Sequence, residues 1–328
     1  MKKRSTLKTL AAGIALVLAA GTAGLAQAQT KLKWAHVYET NEPYHTESVW
    51  AAEEIKKRTN GKFEIQVFPA SSLGKETDIN QGMTLGTVDM IISGPSFAAR
   101  NYPRLGIAYY PFIFRDGDHL LAYSRSSVFK EMVDEFRAKT GIQITAYTYY
   151  GARHTTAQKP FTNCDGMKGI KIRVPDVPAY TATPKACGAN PTPIAFAEVY
   201  LALQNGTVEA QENPLTTIEA KKFYEVQKAI MLTGHIVDGL TTQVAPHVWN
   251  KLTDAEKTIF TEVTREAATR ATNAIKKREG ELVDEFKKKG LQIVNVDRKS
   301  FQDAVLKSSP LESMGFTRAD FDRIQAAR

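Results

Sequence analysis

Past residue 28, the spacing of apolar residues switches repeatedly between a period of two and a period of 3.6 along almost the whole chain. No other feature constrains the fold as much. Strands that alternate with helices bury a sheet beneath a helical layer, which is α/β architecture. Leu32–Tyr38 (LKWAHVY) alternates, with Leu32, Trp34 and His36 on one face. Residues Pro43–Thr59 predict an amphipathic helix, with Val49, Ala52 and Ile55 inward and Glu53, Glu54, Lys56 and Lys57 outward. A strand follows at Lys62–Phe68, a helix at Glu76–Leu85, and a short strand at Val88–Ile92 of the kind buried on both faces.

The same rhythm predicts helix through most of Asp118–Thr140 and strands at Gln143–Tyr149 and Gly169–Val174. A helix at Ala197–Gln204 closes on Asn205-Gly206, as helix C-termini often do. Residues Thr253–Lys289 keep a helical pattern throughout, and unbroken they would exceed about 50 Å, long enough to brace two domains. The alternative is two helices joined at a kink. A strand at Leu291–Val296 and a charged helix complete the chain.

The chain has 328 residues, which suggests two domains. At 43% hydrophobic and 24% charged it has an ordinary globular composition, which excludes disorder and fibre. Residues 1–28 have the layout of a secretory signal peptide: Lys2, Lys3 and Arg4, then an apolar run at Leu10–Ala20, then Ala26-Gln27-Ala28 for cleavage. The run is too short and too broken to anchor the chain in a bilayer. The formal charge is +8, but the leader supplies four cations and no acid, so the remainder carries +4. That balance excludes a polyanion such as nucleic acid as partner. An exported, periplasmic protein is expected.

Two cysteines, Cys164 and Cys187, flank the Gly169–Val174 strand and a short helix predicted near Pro178–Ala186. A helix that packs back along its strand returns Cys187 towards Cys164, so a disulfide is expected in an oxidising compartment. The alternative is two buried thiols. Neither cysteine has a metal-type spacing, and His36, His45, His119, His154, His235 and His247 form no ligand pair. There is no nucleophile elbow, Walker A or dinucleotide fingerprint. Glu209 and Glu212 could form an acid/base pair, but three residues apart and beside Pro214 they read better as loop or capping acids. No metal, cofactor or catalytic activity is expected.

Recognition chemistry is concentrated in Lys168–Pro175 (KGIKIRVP). Alternation puts Ile170, Ile172 and Val174 on one side and Lys171 and Arg173 on the other. Arg173 sits near the strand's C-terminal end, where open α/β sheets place ligands, and a guanidinium there can grip a carboxylate bidentately. A surface salt bridge is the alternative.

The whole chain beyond the leader resembles the periplasmic solute-binding proteins of tripartite ATP-independent (TRAP) transporters, of the dicarboxylate-binding DctP type. The resemblance runs from LKWAHV through LGKETDINQGMTLGTVDM, YYPFIFRD, KGIKIRVPD and GANPTPIAFAEVYLALQNGTVEAQENP to YEVQKAIMLTGH. It implies an α/β clamshell of two domains with a hinge crossed more than once, closing on an organic acid. It also implies delivery to a permease with small and large membrane subunits. By resemblance, Arg173 matches the carboxylate-clamping arginine, Arg153 a second arginine on the anion, Asn213 an amide on the same carboxylate, and Phe196 an aromatic over the ligand. His36 and Glu76 lie where a strand ends and a helix begins, near the expected cleft, and each is a candidate for a ligand hydroxyl or for a structural role.

The expected division is 29–150 with 239–278 as one domain and 151–238 with 279–328 as the other. A monomer is expected. No third cation stands in the first domain's predicted loops, whereas His36, Tyr38 and Glu76 suit hydroxyls. The expected ligand is therefore a sugar acid such as D-glucuronate or D-galacturonate. A C4-dicarboxylate or a keto acid is the alternative, as is a sensor subunit presenting its closed face to a receptor kinase; an exported enzyme acting on small acids fits poorly.

Overall fold

The computed structural model describes residues 29–328; the leader and cleavage site expected at 1–28 lie outside the described residues. Strand β1 (Thr30–Ala35) is followed by α1 (Pro43–Arg58), β2 (Phe63–Phe68), α2 (Glu76–Leu85) and β3 (Met90–Ser93). β1 pairs in parallel with both β2 and β3, as strands joined by helical crossovers do. α1 buries Tyr44, Ser48, Ala51, Ala52 and Ile55. Val49, expected inward, is 41% exposed, because it sits about 100° around the helix from Ser48 and off that stripe.

The helical stretch expected at Asp118–Thr140 is two helices, α3 (Gly117–Arg125) and α4 (Ser127–Thr140). The break is at Ser126, whose hydroxyl caps α4 by accepting from Phe129 N. β4 then runs Gln143–Ala157, eight residues past the expected end at Tyr149. A register shift between Tyr149 and Gly151 bends the strand without ending it.

β5 (Lys171–Val174) and β6 (Asn190–Pro193) pair in parallel. The helix expected between them is a 3-10 turn, Pro178–Thr181, continued by Ala182–Ala186. A similar 3-10 start, Phe196–Glu198, precedes the helix at Val199–Gln204. Three strands were not anticipated: β6, β7 (Ala210–Pro214), which is followed by α5 (Leu215–Ala220), and β8 (Ala229–Val244).

The long helix α6 spans Asp254–Lys288 without a break and opens on a Thr253/Glu256 capping box. After it come β9 (Gln292–Val294), α7 (Arg298–Ser308) and a final helix at Arg318–Gln325.

The strands form one sheet in the order β2-β1-β3-β8-β4-β7-β5-β6, with β9 also on β8. β4 and β8 lie antiparallel along most of their length and carry the sheet from one half to the other. The C-terminal end of β8 pairs with β3, while the C-terminal end of β4 pairs with β7. The bend in β4 is fastened to α6. Glu279 accepts from Ala152 N at 3.1 Å and from the Tyr149 hydroxyl at 2.8 Å. Gly151, at φ +126°, allows this approach, since a Cβ there would lie 2.6 Å from the Glu279 carboxylate and 2.7 Å from Pro214.

Cys164 and Cys187 form a disulfide with their Cα atoms 4.9 Å apart, in a small apolar cluster with Phe161, Met167 and Phe301. It closes a loop with a sequence separation of 23 around β5 and its following helix. Removing that cross-link frees the unfolded chain by about 3 kcal/mol. Calorimetry of the Cys164→Ala/Cys187→Ala double variant is therefore expected to give a Tm several degrees lower, and an unchanged Tm would contradict this stabilising role.

Candidate ligand-binding site

A pocket with an empty volume of about 340 Å³ lies where β4, β5, β7 and β8 approach the loops after β1 and β3. Its walls bring together five of the six residues singled out in the sequence, namely Glu76, Arg153, Arg173, Phe196 and Asn213. Tyr38, Tyr150, Tyr180 and Asp238 complete its polar lining.

Arg153, on β4, is 2% exposed and already partnered. It donates to both carboxylate oxygens of Glu212 on β7, from Nη2 to Oε1 at 2.8 Å, and from Nη1 to Asp238 Oδ2 on β8 at 2.9 Å. Nη2 also reaches Asn213 Oδ1 at 3.2 Å, and the guanidinium lies over the Tyr180 ring at 4.8 Å. Burial alone would push the Glu212 carboxyl up, but Arg153 and His235 beside it hold its pKa at about 2. Glu212 is thus a buried counter-ion in a strand and not the loop or capping acid that Pro214 suggested; Glu209 is the exposed one of the two.

Arg173 is equally buried but differently served. Its Nε and Nη2 both donate to the Ile194 carbonyl, at 2.9 and 2.7 Å, and no carboxylate touches it. Nη1 is buried without any partner. Burial lowers its pKa to about 10, which leaves the group charged at neutral pH. Phe196 places its ring 5.9 Å from this guanidinium, and Asn213 directs its amide nitrogen to Gln211 at 2.6 Å.

Glu76, at the start of α2, accepts from Ser93 Oγ at 2.8 Å and from Gly94 N at 3.2 Å. Although its side chain is partly exposed, its carboxyl end lies among protein atoms, and burial with the nearby Asp238 pushes its pKa up to about 7. His36 does not line the pocket. Tyr38 N donates to its Nδ1 at 3.2 Å and its Nε2 meets His45 Nδ1 at 3.2 Å, so its ring braces the loop behind Tyr38. Burial and His45 lower its pKa to about 3.

Asp238 and Tyr180 were not singled out in the sequence. Asp238 sits inside HIVDGL, where apolar neighbours mask it, and only recognising β8 as a central strand would have turned it inward.

The DctP family model, bacterial extracellular solute-binding protein family 7, matches residues 34–311. The chain belongs to this family. The sialic acid-binding periplasmic protein of Vibrio cholerae is 31% identical over 91% of this chain and 93% of its own length. A TRAP solute-binding protein of Roseobacter denitrificans, solved with bound L-galactonate, is 30% identical with a TM-score of 0.84, covering 90% of this chain and 98% of the other. One from a Polaromonas species, bound to D-erythronate, is 31% identical with a TM-score of 0.84, covering 92% and 99%.

DctP proteins of this kind are substrate-binding components of transporters for organic acids and not enzymes. The fold is their two-domain α/β clamshell, crossed more than once by the chain and braced by α6. Among the described residues no helix is long and apolar enough to cross a membrane, and no group of side chains could hold a metal.

Two outcomes follow from the charges. Glu212→Gln leaves Arg153 short of a counter-ion in a buried site, so urea denaturation should show a loss of about 3–5 kcal/mol. In ligand-free protein the Glu76 carboxyl titrates near 7 when folded, against 4.5 for an unperturbed glutamate. Its stabilising contribution is therefore complete below about pH 4.5 and lost as pH rises through about 7. The Tm of Glu76→Gln minus that of wild type should accordingly rise between about pH 4.5 and pH 8, and a pH-independent difference would refute the shift.

Proposed function

We propose that this protein captures a hydroxyl-rich monocarboxylate, a sugar acid of the hexuronate or aldonate type, and delivers it to the small and large membrane subunits of a TRAP permease. The observation that carries the reading is the unpartnered Nη1 of buried Arg173, on a pocket wall that also bears Asn213 and Phe196. A charged, desolvated guanidinium with a free edge is poised to gain a carboxylate, and closing the site removes the water that would weaken the bond. Arg153 lies beside it and is neutralised by Glu212 and Asp238, so it positions Asn213 and the pocket wall while Arg173 supplies the uncompensated positive charge.

One such cation suits one carboxylate. A second carboxylate of a C4-dicarboxylate would enter a pocket lined by Glu76 and Asp238, with no third cation among its described residues. Relatives solved with L-galactonate, D-erythronate, L-gulonate and D-glucuronate support a sugar acid, each being a single carboxylate on a hydroxylated chain.

The division into 29–150 with 239–278 and 151–238 with 279–328 places the hinge at the register shift between Tyr149 and Gly151, which faces Asp238 and Gly239 across the β4–β8 ladder. Export to the periplasm as a monomer completes the reading.

The test is a thermal-shift and calorimetric screen of refolded, ligand-free protein against D-glucuronate, D-galacturonate, L-galactonate, D-erythronate and succinate. Stabilisation by a sugar acid and little by succinate is expected, with affinity falling at least about 100-fold in Arg173→Ala. No response to any acid, or full affinity in Arg173→Ala, would sink the carboxylate clamp.

A further inference from the structure

Asp238 carries an unused hydrogen-bonding capacity that the carboxylate clamp does not explain. It lies on β8, is 2% exposed and lines the pocket. Oδ2 accepts from Arg153 Nη1 at 2.9 Å, whereas Oδ1 is buried with no donor at all. The Tyr109 hydroxyl stands beside this carboxylate but directs its proton to the Gly239 carbonyl at 2.9 Å. A buried carboxylate oxygen without a donor is costly, and every other polar partner of Arg153 is satisfied by protein.

The ligand bound by Arg173 is itself an anion. Placing its carboxylate in the same pocket as Asp238 and Glu76 is unfavourable unless the ligand also brings protons for those oxygens. Glu76 accepts from Ser93 and Gly94 on Oε1, and its Oε2 is not a buried atom left without a partner, so the buried deficit lies at Asp238 Oδ1.

Resting on the sugar-acid reading above, we propose that Asp238 is a specificity-determining residue, whose Oδ1 accepts a hydrogen bond from a hydroxyl of the bound acid. Asp238 then selects for what the molecule carries besides its carboxylate. An acid with a keto oxygen, a methylene or a second carboxylate at that position offers no proton and leaves Oδ1 unpaired, and the second carboxylate also adds negative charge. The site would reject such acids by the rule that a buried polar group built for a partner discriminates strongly against ligands lacking it. Arg173 grips any carboxylate; Asp238 asks for a hydroxyl.

The experiment is a cycle between ligand and protein. The sugar acid that binds ligand-free wild type best, from D-glucuronate, D-galacturonate and L-galactonate, is compared with its single-position deoxy analogues by calorimetry on wild type and on Asp238→Asn. The expected result is one deoxy position that costs wild type roughly ten- to a hundred-fold in affinity and costs Asp238→Asn about three-fold or less. The inference is overturned if no deoxy position discriminates on wild type, or if the discrimination is the same in the variant.

Asp238 also holds Arg153, so a native melting transition is checked first, with Asp238→Ser used where Asp238→Asn does not fold. Arg173→Ala is run beside them. Loss of binding there with an unaltered deoxy pattern in the Asp238 variant refutes the hydroxyl contact and leaves the clamp standing. Failure of all three acids to bind wild type removes the sugar-acid reading and this inference with it.

Discussion

Three adjacent strands of the sheet meet at one buried guanidinium. Arg153 on β4 reaches Glu212 on β7 and Asp238 on β8, and His235 on β8 stands 3.3 Å from Glu212. Removing these charges from water costs several kcal/mol each, so the cluster persists only because nearly every donor and acceptor in it is paired. Two consequences follow. A one-residue slip of β7 or β8 would leave Arg153 facing the wrong side chains, so the cluster fixes the register of both strands against β4. It also consumes the charge of Arg153, so that Arg173 is the cation left to oppose Glu76 and Asp238 across the pocket. On the proposed reading, an ion cluster whose first task is to hold the sheet together also sets part of the ligand chemistry.

The elements legible in the sequence were those whose stability is local. The helices α1, α2 and α6 were written in their periodic pattern, and each lies within a few residues of its expected limits. β7 and β8 were illegible for a physical reason. Gln211, Glu212 and Asn213 on one, and Thr241, Thr242 and Gln243 on the other, are buried polar residues satisfied by one another, by side chains elsewhere and by backbone. Apolar periodicity cannot find a strand whose buried faces carry amides and hydroxyls. Gly239 on β8 follows the same logic, since a Cβ there would fall 2.2 Å from the Tyr147 ring.

The candidate site was partly visible for the opposite reason. Arg173 sits in a short, strongly alternating strand, and family resemblance pointed to Arg153, Asn213 and Phe196. Their partners Glu212, His235 and Asp238 had no local signature, because what makes them important is the distance across the sheet and not the spacing along the chain. His36, read as either a ligand or a structural residue, takes structural contacts. Its alternation with Leu32 and Trp34 was read correctly, but the ring turns to His45 and Tyr38 N, a contact across the turn after β1 that no periodicity encodes.

The attachment of α6 to the bend in β4 has a mechanical meaning. Glu279 holds the backbone at Ala152 and the Tyr149 hydroxyl, while the neighbouring Arg278 grips Glu219 on α5 at 2.9 Å. A 35-residue helix is a rod of about 52 Å. Turned through about 10° with the bend as pivot, it would carry a point about 26 Å along its length through roughly 4–5 Å. A helix clamped at that bend is a lever, since any flexure there is magnified with distance along the rod.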